Sequence, residues 1–395
     1  MAEAGTGAAE AEAPLAGLLV LDLTRALAGP HAAMMLGDMG ARVIKVESPA
    51  GDDTRHWGPP FIGAEGERES TYFLAANRNK ESIVLDLKDP ADGEVLARLV
   101  ERADVLMENY RVGVLARLGF SQERLHQLNP RLVVLSITGF GHDGPEAQRA
   151  GYDQIAQGEG GLMSLTGSGR PTKVGVPIAD LLAGMNGAFG VLVALHERAR
   201  TGRGRVVRTS LLASMVGAHA FQGTRWTVAG EVPEPAGDHH PSIAPYGMFA
   251  TATAPVQIAC GSEALWRALC ATLEWDADDP RFATNQLRVR HRDELTHRLE
   301  ALFATAPAEH WLEMIAAAGV PSGKVRSLDE VYASEQIRSQ GLLIEVEHVT
   351  QGRIELPGSP IRFDDAAHSG GRSLHAAPPT LGKHNATIRA WVNGD

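Results

Sequence analysis

Residues 17–47 read GLLVLDLTRALAGPHAAMMLGDMGARVIKVE, and the fold turns on this stretch. GLLVLDL is a short, almost wholly apolar run, the pattern of a strand buried on both faces. PHAAMMLGDMG has helical composition with Pro30 in its first turn, where the missing N–H costs no hydrogen bond. ARVIKVE is a second strand. Strand, helix and strand within about 30 residues form a βαβ unit with parallel strands.

The same alternation continues outward. SIVLDL at 82–87 is followed by the helical run ADGEVLARLVERA, the strand DVLMEN at 104–109, two short helices through Leu128, and RLVVLSITG at 131–139. The expected fold is α/β, with a large doubly wound, Rossmann-like parallel sheet covered by helices on both faces. Ligands of such sheets bind beyond the carboxyl ends of the strands. That places the loops after Leu23, Glu47, Asn109 and Thr138 at one rim. Downstream, GYDQIAQGEGGLMSLTG is a short helix and turn, and a long apolar helix runs from about 178 to 200. VAGEVPEPAGDHHPS, at 228–242, is a Pro/Gly/acidic linker. GMFATATAPVQIACG then has the form of a hairpin, followed by a run of helices and, near the end, two more strands, LLIEVEHV and GRIELP. The domain reading is a tail at 1–14, a large domain at 15–225, a smaller α+β domain at 226–325, and a segment at 326–395 that returns to the large domain.

Composition narrows the function. Charge is −11 from 37 basic and 48 acidic residues, which opposes binding to a nucleic-acid backbone but leaves room for a local basic site for one anionic ligand. Cys260 and Cys270, ten residues apart, fit neither a disulfide framework nor a CxxC metal spacing, and a reducing compartment follows. The first residues, MAEAGTGAAEAEAP, lack a basic and then apolar leader pattern, and no apolar run is read as reaching the roughly 20 residues that span a bilayer. The expectation is a cytoplasmic protein with no membrane and no nucleic-acid partner.

Familiar catalytic signatures are missing. TRALAGP carries one glycine where a dinucleotide fingerprint needs three, GSGRPTKVG lacks a Walker ending, and there is no GxSxG elbow. His239 and His240 have no third ligand at helical or hairpin spacing, so they read as solvated linker histidines and no metal is expected. What stands out is polar residues at the predicted strand ends: Arg25, Arg55, the run Asn77, Arg78, Asn79 and Lys80, then Asn109, Arg111 and Arg117. Basic groups recurring on one rim of an acidic protein suit a phosphorylated ligand. Their plainer role is surface ion pairing. Asp180, in VGVPIADLLAGMNG at the head of the long helix, is open to three roles: cap, general base or nucleophile. The helix dipole there favours its charged form, and Gly184 and Gly187 would let a backbone or a ligand approach closely. Asp153 in AGYDQIAQ reads as the N-cap of its own helix. The glycines of QGEGGL could offer N–H groups to an oxyanion.

Taken in order, VLDLTRALAGP, GARVIKVE, GDDTR, NRNKESIVLDLK, ENYRVGVLARLGF, NPRLVVLSITGFGHDGP, AGYDQIAQ, VGVPIADLLAG, TGRGRVV, PSIAPYGMF and PPTLGKH resemble the class III CoA-transferases. The resemblance runs from about residue 17 to the C-terminus. It implies a large domain built from both ends of the chain plus a small one, two copies interlocked as a homodimer, and CoA esters as substrates with no tightly bound cofactor. It implies that Asp180 is the covalent carboxylate. CoA contacts are implied at Leu27, Ala28, Asn77, Arg78, Asn79, Lys80, Asn109, Tyr110, Arg111, Arg117, Thr138, Gly139 and Phe140. Arg25, Arg55 and His240 are left to bind a second substrate carboxylate, with succinyl-CoA as expected donor and a short dicarboxylate such as glutarate as acceptor. Arg25 and Arg55 could alternatively be held in ion pairs with Asp22, Asp52 and Asp53. A 2-methylacyl-CoA racemase of the same fold would use Asp180 as acid/base, but such chains carry GHD where this one has GYD, with Tyr152. A non-catalytic CoA-ester-binding protein is a third reading. Four residues depart from the family pattern: Ser48 for arginine, Val112 for proline, His142 for glutamine and Arg208 for aspartate.

Overall fold

The computed structural model describes residues 13–363 and 370–394. The tail expected at 1–14 therefore lies outside the described residues except for its last two. Six strands form one sheet: β1 (Leu19–Asp22), β2 (Arg42–Glu47), β3 (Lys80–Val84), β4 (Val105–Glu108), β5 (Val133–Thr138) and β6 (Val206–Ser210). Their order is β3-β2-β1-β4-β5-β6, and every neighbouring pair is parallel. Order reverses between β1 and β4, the point at which a doubly wound sheet opens a crevice beyond its strand ends.

The alternation of side chains along each strand builds two cores. Val20, Val43, Met107, Leu135 and Ile137 pack on one face against helix α1 (Ala28–Asp38) and a long helix whose buried residues include Ala183 and Val191. Leu21, Ile44, Leu106 and Val134 pack on the other against the helices Pro90–Arg102 and Asn385–Asn393. Because both faces are covered, the strands are mostly apolar and read as runs, and polar strand residues such as Asp22, Lys45 and Ser136 are buried with them.

Two further helices position the chemistry, α2 (Asp153–Glu159) and the long helix, α3 (Ile178–Thr201). A Cβ on Gly184 would lie 2.5 Å from the Ala28 carbonyl oxygen, and one on Gly187 would lie 2.9 Å from a Leu135 methyl. The glycines thus bring α3 against the backbone of α1 and the sheet, and they are not an opening for a ligand. α3 is also long and apolar enough to cross a bilayer, contrary to the sequence reading. One face nevertheless packs on the sheet core, where Arg198 pairs with Asp104 at 2.9 Å, and the other leaves Met185, Phe189, Leu192 and Val193 exposed.

The chain divides into two compact units. The first comprises residues 1–162, 174–224 and 332–395; the second comprises 163–173 and 225–331. In the second unit Tyr246–Phe249 and Val256–Ala259 form the antiparallel hairpin foreseen at 247–261, extended by Ser322–Lys324. Its core holds Trp266, Phe282, Phe303 and both cysteines. Leu343–His348 and Gly352–Pro357 pair as a second hairpin, in the first unit.

Candidate active site

At the head of α3 the residue before the helix is Pro177, which has no side chain able to cap it. The cap comes from elsewhere. Asp153 Oδ1 accepts the N–H of Ala179 at 2.8 Å and of Asp180 at 3.4 Å, while Gln157 Nε2 donates to Asp153 Oδ2 at 2.7 Å. Asp153 is thus a capping residue, but of α3 and not of its own helix, which starts at Asp153 without a side-chain cap. This corrects the local reading. Two carboxylates then compete for one helix dipole, and Asp153 takes the N–H groups.

Asp180 is left in the first turn with no hydrogen bond or ion pair to its carboxylate among the described residues. Burial, and after it the charge of Asp153, pushes its pKa up to about 7. The dipole is expected to help keep it charged near neutral pH; against that, desolvation and a like charge both disfavour the anion and outweigh the dipole. A poised, unpaired carboxylate of this kind marks a reactive position. The glycine N–H groups of Gly160 and Gly161 are committed to the carbonyls of Ala156 and Gly158, and offer nothing to an oxyanion.

Asp180 opens into a cleft at the reversal point of the sheet. Its walls are the loop after β1 (Arg25, Leu27, Ala28), the loop after β4 (Asn109, Tyr110, Arg111) and the end of β5 (Thr138, Gly139), with Arg149, Gly151 and Tyr152 beyond. Asn109 ties the first two loops together, accepting from Arg25 N at 2.9 Å and donating to Arg25 O at 2.7 Å. Gly139 and Gly151 meet backbone to backbone, since a Cβ on Gly139 would lie 2.9 Å from Gly151 Cα. Phe140 carries the Arg149 guanidinium 4.4 Å over its ring. Arg111 and Arg117 are exposed.

The other implied residues sit elsewhere. Asn77, Arg78 and Asn79 precede β3 and Lys80 is its first residue, so all four lie at its amino end and not on the rim. All four are buried: Arg78 forks onto Asp38, Asn79 bonds Asp38 at 2.9 Å, and Lys80 Nζ meets Asp22 at 2.8 Å, the Pro30 carbonyl and Asn77. Their charges are spent inside the protein, and the geometry does not offer them to phosphates. Arg55 likewise forks onto Glu47 at 2.7 and 2.8 Å and stacks on Phe73, so it does not face a substrate carboxylate. Arg25 pairs with Asp53 at 3.5 Å, yet half its side chain stays exposed in the cleft wall. His240, in the second unit, stacks on Tyr246 at 5.1 Å and accepts from Ser242 N, while His239 packs edge-on against Phe249. Neither is a solvated linker histidine.

Sequence reading missed Tyr72. Its phenol is pushed up to about 12 by burial and then by the charges of Asp180, Asp153 and Asp52, and its ring meets Trp57 edge-on at 5.1 Å. The charge of Asp180 thus reaches the Tyr72 phenol, although Tyr72 is not in the cleft lining, where the aromatic residues are Tyr110 and Tyr152. The only signal was an aromatic residue just before the NRNK run, which periodicity assigns to the core.

The profile of CoA-transferase family III matches residues 15–385. The chain is 38% identical over 380 residues to human succinyl-CoA:glutarate CoA-transferase, covering 95% of this chain and 85% of that one. It is 39% identical over 392 residues to the acetyl-CoA:oxalate CoA-transferase of Acetobacter aceti, covering 97% of each. Among solved structures, a CaiB/BaiF family protein from Brucella suis superposes with a TM-score of 0.86 at 42% identity, over 96% of this chain and all of that one.

Proposed function

The chain belongs to CoA-transferase family III, and from that premise we propose that it moves CoA from succinyl-CoA to glutarate or a similarly short dicarboxylate, with Asp180 as the covalent carboxylate. One observation carries the assignment of Asp180: in a cleft where Asp53 is paired, its carboxylate is partly buried and holds no partner. A carboxylate is a poor nucleophile in water and a competent one when desolvated and held against a thioester.

An Asp180 oxygen attacks the donor thioester carbonyl, expelling CoA thiolate and leaving a mixed anhydride. The thiolate attacks the aspartyl carbonyl, which forms aspartyl-CoA thioester and releases succinate. The acceptor carboxylate then attacks the aspartyl thioester and expels thiolate. Thiolate attack on the acceptor's acyl carbonyl gives the new CoA ester and returns Asp180. The rise in the Asp180 pKa suits the attacking steps, because a more basic carboxylate is the better nucleophile once it is ionised.

Leu27, Ala28, Asn109, Tyr110, Arg111, Thr138, Gly139 and Phe140, with Arg117 further along the same segment, are assigned to CoA, and Arg25 and Arg149, which line the same cleft, are the cations left for the acyl group. Dicarboxylate selectivity rests on those guanidiniums, which match a carboxylate with two hydrogen bonds. A second reading, acetyl-CoA with oxalate, is favoured by the Acetobacter aceti relative at nearly the same identity as the glutarate enzyme. The exposed stripe of Met185, Phe189, Leu192 and Val193 supports a homodimer, interlocked as in the family resemblance. The free buried thiols of Cys260 and Cys270 support a reducing, cytoplasmic setting.

Incubation with succinyl-CoA or acetyl-CoA and a panel of carboxylates, scored by mass spectrometry, tests the function. Glutaryl-CoA from succinyl-CoA is the expected product. Exchange confined to acetyl-CoA and oxalate would replace the substrate assignment, and no exchange with any pair would overturn the function.

A further inference from the structure

Beneath the cleft, on the sheet face away from α3, a chain of hydrogen bonds crosses from β5 to β4 and ends on the rim loop. Glu108, the last residue of β4, is buried with no cation within ion-pair distance among the described residues. Its Oε2 accepts the N–H of Tyr110 at 2.8 Å, and its other oxygen accepts from the hydroxyl of Ser136, its register partner on β5. The Ser136 hydroxyl also meets His142 Nε2 at 2.7 Å. His142 is brought back onto β5 by a turn in which Thr138 Oγ1 accepts the N–H of Gly141 at 3.0 Å, with Gly141 at φ 114°, a conformation that favours glycine.

Burial raises the Glu108 pKa, while the Ser136 hydroxyl and the Tyr110 N–H oppose that rise; with Glu108 ionised, the one hydrogen of Ser136 goes to Glu108 and His142 donates through Nε2–H. The donor sequence is His142 to Ser136 to Glu108, and Glu108 then fixes Tyr110 N. Asn109, one residue earlier, carries the double bond to the Arg25 backbone that joins the loops after β1 and β4. Three loops of the cleft are linked by this set, none of whose three side chains lines the cleft itself. A glutamine at 142 would donate through its amide in the same way. Arg208 is the register partner of Ser136 on β6, bonds Gln122 at 3.1 Å, and after burial is the next influence keeping His142 neutral, opposed by Asp143.

We propose that Glu108, Ser136 and His142 form a positioning relay that sets the backbone of the loop carrying Asn109 and Arg111, and with it the affinity for CoA esters. The proposal rests on the CoA-cleft reading above.

The test measures CoA binding by calorimetry and steady-state constants for wild type, His142→Ala, His142→Gln and Ser136→Ala. His142→Ala and Ser136→Ala weaken CoA binding and raise the KM of the acyl-CoA about tenfold, while kcat and the acceptor KM move by less than about twofold. His142→Gln, which keeps a donor, restores wild-type affinity. Should His142→Ala fail to fold, Ser136→Ala with His142→Gln gives the same contrast. Wild type that binds CoA alongside folded variants of unchanged affinity overturns the relay alone, as does a glutamine variant as weak as alanine. Wild type that does not bind CoA overturns both the relay and the reading beneath it.

Discussion

Two acidic regions at the ends of the same strands treat charge in opposite ways. Below β1 and β2, Asp22, Lys45, Asp52 and Lys80 are almost wholly buried and mutually paired, with Lys45 Nζ 2.9 Å from Asp52 and Lys80 Nζ 2.8 Å from Asp22. Against the cost of burial, the two ammonium groups hold Asp22 down at about 2. At the head of α3, Asp180 is partly buried without any such partner, and its pKa moves the other way. The paired network holds the ends of β1 and β2 in place and is spent there. The unpaired carboxylate is costly to the fold, which is the mark of a group kept for chemistry.

The largest expected effect breaks the comparison at Asp180. Asp180→Asn should lower transferase turnover by about 10⁴ or more, and intact-mass spectra with donor alone should lose the CoA adduct that wild type acquires. A variant within tenfold of wild type would make Asp180 one more buried acid. Removing one partner of the paired network should act on stability instead. Asp22→Asn leaves Lys80 uncompensated and should cost about 3–5 kcal/mol in urea unfolding, with the acyl-CoA KM of the folded enzyme unchanged.

The rim cations come next. Arg111→Ala or Arg117→Ala should each raise the acyl-CoA KM by the equivalent of about 1.5–3 kcal/mol, with the acceptor KM moving less. Unchanged constants in the double variant would make both surface charges.

The finest test is pH. Because reaction needs ionised Asp180, kcat/KM should rise with pH through an apparent pKa of about 7. Asp153→Asn removes the like charge and should lower that value, while the burial of Asp180 keeps it above the ordinary carboxylate range. Stability carries the matching sign. Folded Asp180 keeps its proton where the unfolded chain has lost it, so this group makes stability fall as pH rises from about 4 to about 7. Asp180→Asn should therefore gain in Tm over wild type at pH 8 and not at pH 4.

Much of the architecture was legible locally. The runs at 17–23, 41–47, 104–109 and 131–139 contain β1, β2, β4 and β5, because strands covered on both faces are mostly apolar and stand out from the helices between them. The NRNK run stands at the amino end of the strand in SIVLDL, which begins at Lys80. It was read as a binding rim because a charge in sequence has no visible partner: Asp38 lies 40 residues from Arg78 and Asp22 lies 58 from Lys80.

By itself, then, the sequence determined the alternation of strands and helices, the strand-end loops that share one rim, and a carboxylate at the head of an apolar helix, all products of short-range periodicity and of glycine and proline chemistry. The tertiary structure alone decided which charges are spent. Arg55 is taken by Glu47, Arg78 by Asp38 and Lys80 by Asp22, and Asp153 caps a helix that begins 25 residues downstream at Ile178. Pairing and desolvation depend on distances in space, which periodicity does not encode, so only the folded chain separates Asp180, which keeps its charge free for reaction, from neighbours of the same type that do not.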